Sequence, residues 1–158
     1  MVTVVVLIVV VVKFGPTSPS EDPLAGEAVQ LGPSSHVDPS AVPIGTLPQA
    51  GGPHASSPLR NGIYEAPIQE GNAIHAMEHG VVWVTFQPNL LTADEIARLT
   101  DVANDFRRDV ILAPRLENVD PIVLVSWGRR LILSDLDEDV VADFIRTNRN
   151  RSPEPGIR

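Results

Sequence analysis

The spacing of apolar side chains divides the chain into two unlike halves. Beyond Gly80 the pattern is regular. Val81-Val82-Trp83-Val84-Thr85-Phe86 is a β-branched and aromatic run closed by Pro88, which predicts a strand. Thr92 with Glu95 three residues later is a capping-box signature, and Ile96, Leu99, Val102, Ala103 and Phe106 recur behind it at helical spacing. Val110-Ile111-Leu112-Ala113 predicts a short strand stopped by Pro114. Residues 122–127 and 130–133 predict two strands across a tight turn at Gly128-Arg129. Asp135 with Glu138 opens a last helix whose apolar face is Val140, Val141, Phe144 and Ile145. The order is β-α-β-β-β-α. It predicts an α+β (or α/β) fold, a small mixed sheet covered by two helices, with the skeleton of a reduced thioredoxin-like fold.

Before Gly80 no such period exists. Residues 2–12 are apolar apart from Thr3. As a helix they reach roughly 18 Å, short of the ~30 Å hydrocarbon core. We read residues 1–14 as a membrane anchor or signal segment, although no basic residue precedes the run. Residues 15–60 hold nine of the fifteen prolines, with many Gly and Ser. Few large apolar groups are available there to offset the entropy of ordering the chain. Residues 15–33 are expected to be a linker. Residues 34–150 form a single domain that includes a wrapping, histidine-bearing loop, and residues 151–158 form an extended tail.

Composition narrows the function. The formal charge of −8 and the absence of a basic run argue against nucleic acid as partner. The chain has no cysteine, so disulfides, thiolate metal sites and a cysteine nucleophile are excluded. Gly51-Gly52-Pro53 is a turn without phosphate-loop residues, and no serine lies in a nucleophile-elbow pattern. No catalytic residue is assigned.

The chemistry that is left lies in the histidines. All four, His36, His54, His75 and His79, fall in the irregular half. His75 and His79 are four residues apart, which on a helical turn puts both rings on one face. Met77 sits between them and Glu78 adjoins. Imidazole suits zinc, copper, nickel and iron, whereas a thioether biases toward cuprous copper. Copper is therefore ranked first and zinc close behind. Ligation needs neutral imidazole, so affinity should fall below about pH 6. His75-Ala76-Met77-Glu78-His79 also fits the H-x-x-E-H pattern of inverted zinc peptidases, in which the Glu is the general base. That pattern requires a long helix. Here Gly80 and a strand follow at once, so a helix of little more than a turn is expected.

The ordered set Ser35-His36-Val37, Gly52-Pro53-His54, Gly62-Ile63-Tyr64 and His75-Ala76-Met77-Glu78-His79-Gly80 resembles the bacterial domain-of-unknown-function family 3105. Ser126-Trp127-Gly128-Arg129, Phe144-Ile145-Arg146 and Arg151-Ser152-Pro153-Glu154-Pro155 extend the likeness over about residues 34–156. Val42-Pro43-Ile44 stands where that family usually has a tyrosine before its proline-rich stretch. The resemblance implies a short extracytoplasmic domain behind an N-terminal membrane segment, periplasmic or at the cell surface, and it brings no activity with it.

Three readings follow. The first is a membrane-tethered metal-binding domain for copper handling or delivery. Its core ligands are His75 and His79, His54 and His36 are brought in by the loop, and Met77 or Glu78 completes the shell. The second is a non-enzymatic accessory subunit of a membrane protein complex, with the histidines as loop anchors. The third is a small zinc peptidase.

Overall fold

The computed structural model describes residues 23–156. The expected anchor or signal segment, 1–14, lies outside them. Among the described residues no helix is long and apolar enough to cross a membrane.

The regular half folds as its periodicity predicts. Strands β3 (Val82–Phe86), β4 (Val110–Pro114), β5 (Ile122–Ser126) and β6 (Arg129–Leu133) alternate with helices α2 (Ala93–Asp105) and α3 (Glu138–Asn148). Strand β3 pairs parallel with β4 and antiparallel with β5, and β5 pairs antiparallel with β6. The β3-α2-β4 unit, the β5-β6 hairpin and α3 have the connectivity of the expected reduced thioredoxin-like skeleton. Thr92 and Glu95 form the full capping box at the start of α2.

Three elements come from the irregular half. Strand β1 (Glu27–Ala28) pairs with β6 at one edge of the sheet, and β2 (Gly62–Ile63) pairs with β4 at the other. Helix α1 spans Glu70–Glu78. The mixed sheet therefore has six strands, ordered β1-β6-β5-β3-β4-β2. Among the described residues three α-helices are present where two are expected. Part of the stretch read as a linker, Glu27–Ala28, is a sheet edge.

The expectation of a helix of little more than a turn at His75–His79 is corrected: α1 has nine residues, about two and a half turns. Its sequence hides it because it has no polar stripe. Eight of the nine are buried, all except Asn72. A helix buried all round carries little amphipathic signal. Small residues let it approach its neighbours, and a Cβ on Gly71 would lie 3.2 Å from the Ala55 nitrogen. Its abrupt end was foreseen. Gly80 follows with φ 91°, and a Cβ there would lie 2.7 Å from the Asn150 Cα.

The period-two alternation of the strands sorts two cores. Val82, Val84, Val110, Leu112, Ile122 and Leu124 face α2 and α3, meeting Leu99, Val102, Phe144 and Ile145. Trp83, Ile111, Val123 and Val125 face the other way, toward Ile74 and Met77 of α1 and toward Val42 and Ala50 of the loop. Because both faces are covered, the central strands read as continuous apolar runs.

Candidate metal centre

The loop reaches α1 through backbone hydrogen bonds. The Val37 N–H donates to the His54 carbonyl (2.8 Å), and the His54 N–H donates to the Ser35 carbonyl (3.0 Å), forming a parallel bridge between His36 and His54. The Ala55 N–H then donates to the Gly71 carbonyl (3.1 Å) and the Leu59 N–H to the Asn72 carbonyl (2.9 Å). Gly51 (φ 138°) and Gly52 (φ 100°) supply the left-handed turn that precedes His54.

These contacts converge four potential ligands. One ligand atom from each of His36, His54, His75 and Glu78 lies within 4.8 Å of all the others. The His36 ring is 5.1 Å from the rings of both His54 and His75, which are 4.9 Å apart. His54 is fully buried, His75 and Glu78 nearly so, and His36 is exposed. The set is thus walled on the protein side and open to solvent beside His36.

The second nitrogens are already engaged. His54 Nδ1 lies 2.8 Å from the Gly52 carbonyl oxygen, and His75 Nδ1 lies 2.7 Å from that of Ala55. A carbonyl only accepts, so each Nδ1 carries the proton. In a neutral ring this leaves the Nε2 lone pair as the donor atom, the arrangement that orients metal-bound imidazoles. Ser34 Oγ donates to Glu78 Oε1 (2.7 Å). Glu78 Oε2 stands 3.1 Å from His54 Nε2, yet that buried nitrogen makes no hydrogen bond. The contact has the length of an ion pair without hydrogen-bond alignment. When the His54 ring is neutral, two lone-pair-bearing atoms face each other there, and a metal cation between them would satisfy both, as a proton on Nε2 would in a protonated ring.

Burial pushes the His75 pKa below the ordinary 6.5. Its hydrogen bond to Ala55 acts in the opposite direction, and the neighbouring rings of His54, His79 and His36 add to the lowering. His75 is accordingly neutral at pH 7, the state that ligation needs.

Not every residue singled out from the sequence joins this set. His79 caps the C-terminus of α1, and its ring centroid is 4.8 Å from that of His75. Its Nδ1, however, lies 3.3 Å from the Glu154 carbonyl oxygen and 3.8 Å from Glu154 Oε2. Met77 is fully buried in the apolar layer between α1 and the sheet. The four-ligand set takes one member of the helical pair: His75 groups with His36, His54 and Glu78, while His79 lies outside that set and contacts the tail at Glu154. The geometry also departs from the peptidase pattern, since only one motif histidine joins the set and Glu78 stands within it. Ser34 was not singled out. Its exposed position in a Pro/Ser stretch carries no signal of its partner.

A family model described as "Protein of unknown function (DUF3105)" matches residues 36–158, most of the chain, so the chain belongs to that family. No curated protein and no solved structure matches it.

Proposed function

We propose that this DUF3105 chain is a metal-binding domain that holds one divalent transition-metal ion through His36, His54, His75 and Glu78. The observation that carries the reading is the bare, buried Nε2 of His54 facing Glu78 inside a four-ligand cluster. Tetrahedral bonds of about 2.0–2.1 Å set ligand separations of roughly 3.4 Å. The cluster, now within 4.8 Å, needs only a small contraction to reach that. Imidazole and carboxylate donors suit zinc or cupric copper. With Met77 in the core, no thioether among the described residues is left to favour cuprous ion. The solvent-facing His36 gives the ion a route in and out, which suits handling or delivery more than a sealed structural site.

The N-terminal apolar run and the Pro-rich stretch after it support placing this domain outside a membrane, tethered to it. The test of the site is titration of chelator-treated protein with zinc and with cupric ion. Trp127 serves as a fluorescent reporter, because its ring lies 6.1 Å from that of His54. Saturation at about one equivalent is expected, and it should vanish in His54→Ala/His75→Ala. An unresponsive wild-type protein near neutral pH would overturn the reading. The accessory-subunit reading draws on one observation, the Nδ1 contacts that tie His54 and His75 to loop carbonyls. A partner protein that co-purifies with a metal-free chain would favour it.

A further inference from the structure

Beside the C-terminal end of α1 lies a second feature that the metal reading does not use. A cavity of about 540 Å³ opens between the loop before β2 and the turn that ends α2. That volume falls in the range of small-molecule sites. Its apolar lining is formed by buried Ala76 and Val81, half-buried Leu59 and exposed Pro58. Its rim carries Arg60, Arg107 and Arg108, all exposed, and His79 closes one end. The side chain of Asn61 donates to the Arg108 carbonyl and ties the two rims together.

The charge of this rim runs against the rest of the molecule. The chain has 20 acidic and 12 basic residues, yet three arginines and no acidic residue line the cleft. Arg107 donates to the neutral side-chain oxygen of Asn104 at 3.0 Å, which leaves its charge uncompensated by that contact. An apolar lining together with guanidinium groups matches a ligand with an apolar body and an anionic head, because Arg pairs with carboxylate through two parallel hydrogen bonds.

We infer that this cleft binds a small organic anion, a carboxylate with an apolar body, at a site separate from the His36/His54/His75/Glu78 cluster. The test is calorimetric titration of chelator-treated, full-length protein with 2-naphthoate, with neutral 2-naphthamide and with acetate. Naphthoate should bind at about one per chain. The amide should bind about tenfold or more weakly, since a charge-assisted hydrogen bond is worth about 1.5–3 kcal/mol. Acetate, lacking the apolar body, should show no heat of binding. Arg60→Glu/Arg107→Glu should lose about tenfold or more in naphthoate affinity while its circular dichroism and unfolding midpoint stay unchanged, as expected for exposed side chains. Equal affinity for naphthoate and the amide, or unchanged affinity in the double variant, would overturn the inference. So would no binding of naphthoate at all. Because the protein is metal-free throughout, none of these outcomes depends on the cluster.

Discussion

The two faces of the sheet are covered in opposite ways. One is packed by α2 and α3, whose apolar residues recur at 3.6-residue spacing and whose polar residues face water. The other is packed by a helix with no polar stripe and by a loop with almost no regular structure. The first face is ordered by side-chain burial along a repeating pattern. The second is ordered by particular polar links, the hydrogen bonds from the loop to α1 and the buried Glu70–Arg115 pair. A segment rich in Pro and Gly can therefore be fixed in place without the periodicity that usually announces order.

The largest effect should come from breaking the polar links of the second face. Arg115 is almost fully buried, with its Nε 2.8 Å from Glu70 Oε1, Nη1 3.0 Å from Asn118 Oδ1 and Nη2 2.7 Å from the Gly45 carbonyl. It joins α1, strand β4 and the loop. Arg115→Ala leaves Glu70 buried without its partner and should cost about 3–5 kcal/mol at pH 7, read from urea unfolding. Burial already raises the Glu70 pKa more than Arg115 lowers it. The deficit should shrink in mild acid, where the orphaned carboxyl takes up a proton. A cost below about 1 kcal/mol would mean that the irregular face does not rest on this pair.

Truncation on the regular face should be costly but local in its chemistry. Leu99→Ala removes a fully buried side chain and should cost about 2–5 kcal/mol. Metal titration at the opposite face should be unchanged while the variant stays folded. A weakened metal response would show that the two faces are coupled. Thr92→Ala, which removes the hydroxyl half of the capping box and keeps the backbone N–H that donates to Glu95, should cost about 1 kcal/mol in the same unfolding assay.

The subtlest contrast is in pH. The His75 pKa is lowered in the folded state relative to 6.5. Its contribution to stability is therefore full above pH 6.5 and is lost as pH falls through the lower folded value. Metal-free protein should melt at lower temperature as pH drops from 6.5 through that lower value, and His75→Gln should flatten the dependence. An equally steep profile in His75→Gln would assign the effect to other groups.

These contrasts also explain what could be read in the sequence. Strands β3 to β5 are legible as short apolar runs because both of their faces are buried, helices α2 and α3 because one periodic face of each is buried, and Thr92, Pro88 and Gly128 mark ends. Helix α1 was not, because burial on all sides erases the pattern that reveals a helix. Strands β1 and β2, two residues each, are too short to show alternation. The histidine cluster was legible as a set of residue types but not as a geometry. The i, i+4 spacing placed His75 and His79 on neighbouring turns and pointed to them as the core pair. The backbone bridge between His36 and His54, which no local pattern encodes, selects the set instead. From its position beside His79 in sequence, Glu78 only completes the shell, yet its two oxygens meet Ser34 and His54. Met77 looked like a donor from its position between two histidines, but the helix turns it into the core.

That difference between spacing and geometry supplies the most direct test. Wild type, His54→Ala and His79→Ala can each be loaded with zinc, freed of excess by gel filtration and assayed for metal by elemental analysis. Our account predicts about one ion per chain in the wild type and in His79→Ala, and none in His54→Ala. Retention of metal by His54→Ala together with its loss from His79→Ala would contradict it and return the site to the helical pair.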